Sequence, residues 1–431
     1  MKKICILSFI VMLAANATAQ RMLTLNEAVD MALKSNFDIL VARNDADIDK
    51  ANNTRSNAGM LPTINMNGTG SYGLNNVYQK LSTGATNSFS SQSSTSLGAN
   101  VQLSWTLYDG GKMFITKNKL AEIQSLGELQ FRSKVMEVTY NVIAAYYDIV
   151  RQKQELKSMN EVMNYNKQRV LIAKTGYASG QIVKTELLQA QIDLNVATES
   201  AINQKYAISE AQKALNNVLA QDAKNEFDVA DSIPESKVPD INELLLRIES
   251  SNADILSYKK QIDIAKLALK ETQKGYYPTL NLQSGYSLSQ LHYSEGTMLN
   301  NNSHGFQIGG TLSVPLYNFG ETKRKISVAK MELLSAQYNL DDAKLQLSIE
   351  LQNAYKNFKT QQQLLAIERD NNLLAKENLE ISLSRLKLGQ TTSLEVHQAQ
   401  ENYMESLTRL INFQYQLKIE EAKIKQLISS L

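Results

Sequence analysis

Only three histidines, His292, His304 and His397, and one cysteine, Cys5, occur in this 431-residue chain. These are the residue types on which a zinc site, a proton shuttle or a thiolate nucleophile would draw. His292 and His304 fall in a polar, loop-like stretch at a spacing that is not a metal-ligand motif, so they read as solvent-exposed. His397 lies on a helix. The pairs Gly110-Gly111 and Gly309-Gly310 belong to no phosphate-cradling GxxxxGK[ST] motif and sit within or just after strands, where close backbone approach accounts for them. No catalytic residue, cofactor or metal ligand is assigned, and enzyme activity is the least favoured reading.

What the spacing does build is a set of two-faced strands. Phe306, Ile308, Leu312, Val314 and Leu316 share one face of an extended segment, with Gln307, Thr311 and Ser313 opposite. Leu97, Ala99, Val101, Leu103, Trp105 and Leu107 repeat the design against Asn100, Gln102, Ser104 and Thr106. Leu107-Tyr108-Asp109 and Leu316-Tyr317-Asn318 lie 209 residues apart, and so do Ala145-Tyr146 and Ala354-Tyr355, Gly180-Gln181 and Gly389-Gln390, and Gln189-Ala190-Gln191 and Gln398-Ala399-Gln400. Upstream the offset is 216, as in Asp38-Ile39-Leu40 and Asp254-Ile255-Leu256. The chain is duplicated.

Each copy carries a strand pair, expected at about 62–74 and 97–108 and at about 278–289 and 306–317. The segments between, 75–96 and 290–305, have the Ser, Thr, Asn and Gly composition of loops. About 12 residues per strand, at roughly 3.3 Å each and tilted by about 40°, reach across an outer membrane. Tyr108, Tyr276, Tyr277, Tyr317 and Phe319 cluster where strands meet helices, near Trp105, with Tyr72 towards the loop ends. Such aromatic girdles mark membrane interfaces. Four strands cannot close a barrel, so several chains must contribute.

The strands are followed by long helices, expected over 112–175 and 321–388, with no proline inside either. Leu365, Leu379 and Leu386 lie on one seven-residue register and Ile367, Leu374, Ile381 and Leu388 on another, which calls for neighbours on two sides. Turns at 176–180 and 389–392 send the chain back into return helices over 181–219 and 392–429. Thr24 and Glu27 form a capping box that opens the first helix. The organisation is then a first repeat over 20–220, a linker over 221–240 holding Pro234 and Pro239, and a second repeat over 241–431.

Lys2 and Lys3, the apolar run 4–15 and Ala17-Thr18-Ala19 have the three parts of a secretory signal peptide over 1–19, leaving Gln20 first. An N-terminal anchor would need an apolar run nearer 20 residues. The mature chain would carry no cysteine, excluding disulfides, and 43 basic against 43 acidic residues, with no net charge to draw nucleic acid.

Over nearly the whole mature chain the sequence resembles the TolC-type outer-membrane efflux family. The resemblance is carried by Val314-Pro315-Leu316-Tyr317-Asn318-Phe319-Gly320, by Arg385-Leu386-Lys387-Leu388-Gly389 through Ser393-Leu394-Glu395-Val396, and by Ala399-Gln400. It implies an α+β membrane protein in the outer membrane of a diderm bacterium. Three chains of four strands would form a 12-stranded barrel, continued by a periplasmic helical barrel. It implies a passive exit duct working with a periplasmic adaptor (a membrane fusion protein) and an inner-membrane transporter of RND or ABC type. The adaptor would dock on the helix tips, here Gly180, Gln181, Ile182 and Val183 with Gly389, Gln390, Thr391 and Thr392. The family narrows its tunnel with acidic rings: Glu395 matches one acidic position, Gln398 stands in place of a second, and His397 lies between them.

Two other functions share these features in part. A duct for type I protein secretion would have the same architecture. A soluble periplasmic coiled-coil adaptor would explain the heptads but leaves four amphipathic strands without purpose.

Overall fold

The computed structural model describes residues 22–296 and 298–431, so the expected signal peptide and Gln20 lie outside it. The first copy contains α1 (Leu25–Ser35), α2 (Phe37–Asn52), β1 (Thr63–Lys80), β2 (Thr86–Tyr108), α3 (Lys112–Ala178) and α4 (Lys184–Val218). The second repeats the order with α5 (Ile241–Ser251), α6 (Ala253–Gln273), β3 (Thr279–Tyr293), β4 (Asn300–Ser313), α7 (Glu321–Lys387) and α8 (Ser393–Leu427). Both α3 and α7 have 67 residues, about 100 Å at 1.5 Å per residue.

The chain divides into two compact units. One takes in residues 46–127 and 258–340, and the other takes in residues up to 45, 128–257 and 341–431.

The first unit holds one antiparallel sheet in the order β1-β2-β3-β4. Its register places Met66 opposite Val101, Val101 opposite Tyr286 and Tyr286 opposite Phe306, so the apolar residues of all four strands share a face. That face is open: Met66, Ile308 and Leu312 are each more than 60% exposed. On the opposite face Asn67 donates to Asn100 (3.2 Å) within the first copy, and Thr106 donates to Asn281 (2.9 Å) across the two copies.

The strands depart from the expected bounds. Residues 75–80 and 86–96, expected as loop, continue β1 and β2 as a paired ribbon closed by a short turn in which the Leu81 N–H donates to the Ala85 carbonyl (2.8 Å) and Gly84 takes φ 86°. Ladder bonds are made by the backbone, so a polar sequence can pair as long as its N–H and C=O groups meet partners. β4 begins at Asn300 and stops at Ser313, short of the expected 317. Pro315 has no N–H to give the ladder and restricts Val314 before it, so the segment 314–319 leaves the sheet. Of the second expected loop, residues 290–293 belong to β3 and 300–305 to β4.

In the other unit the capping box forms as expected, with the Thr24 N–H donating to the Glu27 carboxylate (3.0 Å) and the Glu27 N–H to the Thr24 hydroxyl (3.3 Å). Asn36 ends α1 and starts α2: its Oδ1 accepts from the N–H of Asp38 (3.0 Å) and Ile39 (3.2 Å), while its Nδ2 donates to the Val218 carbonyl (2.8 Å) at the end of α4. Asn252 repeats all three bonds, from Asp254 and Ile255 (2.9 Å each) and to Leu427 (2.8 Å) at the end of α8. A buried asparagine thus pins each helix break to the last turn of its own return helix. The core between them gathers Ile39, Val142, Ile149, Val150, Leu215 and Leu219, all buried. Tyr146 closes it, its hydroxyl donating to the Leu23 carbonyl (3.0 Å).

The two expected heptad registers of α7 separate. Leu365 and Leu379 are buried, whereas Ile367, Leu374, Ile381 and Leu388 remain exposed.

Candidate functional site

The residues singled out at the helix turns sit together in the second-described unit, and local chemistry explains each reversal. α3 ends in a left-handed residue, Gly180 at φ 74°, whose conformation a Cβ would disfavour. The Gln181 N–H donates to the Gly176 carbonyl (2.8 Å), and Ile182 folds back over Gly176. A Cβ on Gly176 would lie 2.6 Å from the Ile182 Cδ1, so this glycine supplies space. It is helical, and the turn itself is 179–183, a shift from the expected 176–180. Val183 opens α4 with no side-chain cap.

The second turn is built with more polar contacts. Gly389 takes φ 70°, and the Gln390 N–H donates to the Arg385 carbonyl (2.9 Å). Thr392 caps α8 by accepting from the Glu395 N–H (3.2 Å). The Glu395 carboxylate turns back to accept from Arg385 Nη1 (3.2 Å) and from the Thr391 hydroxyl, and Arg385 Nη2 also donates to the Gln390 carbonyl (3.3 Å). Within one chain Glu395 is therefore a paired, half-exposed carboxylate at a helix N-terminus, where negative charge is favoured.

His397 and Gln398 point to different surroundings. Gln398 is exposed and donates to Asn402 (3.2 Å) along its own helix. His397 reaches between α4 and α8, with Nδ1 3.6 Å from Asp193 Oδ2 and Nε2 3.3 Å from Glu401 Oε1. Behind it Arg169, 2% exposed, pairs with Asp193, 11% exposed, at 3.0 Å and donates from Nη2 to Ser393 Oγ (3.0 Å). One guanidinium thus ties α3, α4 and α8 together.

A small apolar cluster of Leu379, Leu383, Val396, Ala399 and Tyr403 packs beneath the second turn. Burial and the nearby Glu161 push the Tyr403 phenol up to about 12, so it stays a neutral donor to that carboxylate (3.3 Å).

Neither Arg385 as the partner of Glu395 nor Arg169 as the partner of Asp193 stood out in the sequence. Both pairs join residues across a chain reversal, outside the three- and four-residue spacing by which helical ion pairs are recognised.

The aromatic residues expected at membrane interfaces all have solvent-accessible rings. Tyr276 and Tyr277 form the tight turn between α6 and β3, with Lys274 Nζ 4.5 Å above the Tyr277 ring. Tyr317 and Phe319 meet at 5.0 Å in the segment after β4, Tyr108 ends β2, and Trp105 donates from Nε1 to the Met60 carbonyl (3.0 Å). Tyr72 stands on β1 opposite Thr95, away from that end.

No helix among the described residues is long and apolar enough to cross a membrane. The model of the family described as "Outer membrane efflux protein" matches residues 28–221 and 244–430, taking in both copies. The chain belongs to the outer membrane efflux protein family. It is 23% identical to Outer membrane protein TolC of Salmonella enteritidis, covering 90% of this chain and 78% of that protein. It is 18% identical to Proteases secretion protein PrtF of Dickeya chrysanthemi, covering 96% and 90%. The solved structure of the Campylobacter jejuni CmeC outer membrane channel shares the fold, with a TM-score of 0.77 at 19% identity over 94% of this chain and 85% of that one. The chain is an outer-membrane protein with two-repeat architecture, its strands in the membrane and its long helices on the periplasmic side.

Proposed function

We propose that three copies of this chain form the passive exit duct of a tripartite efflux system. One observation carries the reading: the sheet has only four strands, ends in two edges, β1 and β4, that have no strand partner among the described residues, and exposes a continuous apolar face. An open edge is costly in a bilayer and an exposed apolar face is costly in water; lateral pairing of β4 with β1 of a neighbouring copy relieves the first while lipid covers the second. Three copies give 12 strands. The exposed register of α7 supports the same arrangement, since it offers a seam to a neighbouring helix.

The polar face then lines the pore, and the aromatic residues near Tyr108 and Tyr277 form one interfacial belt with Tyr72 in the other. The turns at 179–183 and 388–392 are the surface for a periplasmic adaptor, which links the duct to an inner-membrane transporter. Three Glu395 side chains, and with them Gln398 and His397, are placed by this reading at the periplasmic constriction. The duct itself carries no catalytic centre.

Export of polypeptide is the second reading, favoured by the similarity to PrtF. The test is the native mass of the mature protein extracted in detergent from purified outer membranes, followed by cross-linking at β1 and β4. A trimer with β1–β4 cross-links between copies is expected; a monomer would overturn the duct. The adaptor and transporter recovered with it separate small-molecule efflux from protein secretion.

A further inference from the structure

The cations of this chain are unevenly placed. Lysine and arginine number 45 against 43 aspartates and glutamates overall, yet the segments 109–119, 270–274 and 321–325 together hold eight lysines and arginines against three carboxylates. These segments are the start of α3, the end of α6 with the turn after it, and the start of α7, next to β2, β3 and β4 respectively. They also converge. A Cβ on Gly275 would sit 3.4 Å from the Thr322 Cγ2, and one on Gly110 would sit 2.5 Å from the Tyr277 Cβ, so the turn after α6 lies against the heads of both long helices.

The three carboxylates do not neutralise the patch. Glu271 is shared by Lys112 (3.7 Å) and Lys119, Glu321 is shared by Arg324 (2.9 Å) and Lys325 (3.3 Å), and Asp109 accepts from the Met113 N–H (2.9 Å). Lys270 and Lys323 are exposed and form no ion pair among the described residues. Lys274 holds its ammonium 4.5 Å above the exposed Tyr277 ring.

Position decides what this surplus can meet. Tyr108, Tyr276 and Tyr277 of the aromatic cluster lie in or beside the same segments, where the apolar face of the sheet ends and the helices begin. A lysine at such a boundary keeps its stem against apolar surface and lifts its ammonium to the level of lipid headgroups. The anion at that level is a phosphate ester, which ammonium and guanidinium groups bind by charge-assisted hydrogen bonds.

We propose that this patch binds the headgroups of anionic phospholipids in the leaflet that faces the periplasm, with Lys270, Lys274 and Lys323 as the principal contacts. Every residue in it belongs to one chain, so the proposal uses the placement of the strands in the outer membrane and does not depend on the trimer.

Trp105, the only tryptophan of the chain, lies on β2 at the same end of the sheet and is 37% exposed, so bromine on a neighbouring lipid should quench its fluorescence. The test is reconstitution of the full mature protein in bilayers of brominated phosphatidylglycerol with phosphatidylcholine, and of brominated phosphatidylcholine with phosphatidylglycerol. Quenching should show phosphatidylglycerol preferred about fivefold or more, the gain expected from one lysine at an anionic surface. Lys270→Gln with Lys323→Gln should bring the preference below about twofold. Lys167→Gln with Lys174→Gln makes the same change of charge in the other unit and should leave the preference in place. All four side chains are exposed, so both variants are expected to fold. Equal quenching by the two lipids, a preference that survives the change at Lys270 and Lys323, or one lost with the distant pair would each overturn the proposal.

Discussion

Removing the guanidinium of Arg169 is the most demanding test of how the helices near the turns are held. Arg169→Met keeps the length and apolar stem but leaves Asp193 without its cation at a site where the arginine is 2% exposed and the aspartate 11%. Breaking a buried pair from one side costs about 3–5 kcal/mol. The lower end applies, because Asp193 keeps some access to water and its other oxygen still accepts from Gln189 Nε2 (2.8 Å). About 3 kcal/mol corresponds to a roughly hundredfold rise in local opening. Amide hydrogen exchange of peptides spanning Asp193 and Ser393 in the detergent-solubilised protein reads this directly, since Arg169 also holds Ser393. Arg169→Lys should fall between, because an ammonium cannot span Asp193 and Ser393 as the planar fork does. Asp193→Leu combined with Arg169→Met should cost clearly less than the sum of the two single changes, the mark of a coupled pair. Additive costs, or a methionine variant within about 0.5 kcal/mol of the parent, would refute the claim that this pair clamps the three helices.

Three further outcomes follow from the geometry. Gly180→Ala and Gly389→Ala meet no atom within 4 Å of the added Cβ, so each costs only the backbone term of about 1–2 kcal/mol, with Asn milder, whereas Gly176→Ala must displace Ile182; thermal melts of the three variants check the ranking. Arg385→Gln should change stability by no more than about 1 kcal/mol, because the pair with Glu395 is half exposed, yet raise cation selectivity in planar-bilayer recordings, while Glu395→Ala should lower it; unchanged selectivity in both removes Glu395 from the ion path. Acid should weaken the unit that contains Glu421. Burial alone would raise this carboxyl, but hydrogen bonds from Lys418 (2.8 Å), Lys425 (2.7 Å) and Ser236 outweigh it and hold the group below its ordinary value of 4.5. A depressed carboxyl contributes its stability in full above 4.5 and loses it as pH falls through the lower folded value, so Glu421→Gln should flatten the acid limb of a pH–stability curve followed by circular dichroism.

Features that depend on near neighbours along the chain are legible in the residues themselves. Alternation fixed which face of each strand is apolar, Thr24 and Glu27 fixed a helix start, Gly180 and Gly389 fixed where the long helices reverse, and the 209- and 216-residue offsets fixed the duplication. What polar residues do at long range is set by packing. The segments around Asn75 and Ser96 have loop composition, yet they pair because their backbones lie opposite each other, a term that composition does not report. Asn36 and Asn252 look like ordinary helix breakers until Val218 and Leu427 arrive from nearly two hundred residues away to take their amides. Arg385 and Glu395, and Arg169 and Asp193, become partners only after a turn brings two helices side by side. Hydrophobic periodicity is repeated along an element and so is readable in one dimension, whereas a charge pair or an asparagine clasp is a single contact whose partner is set by packing.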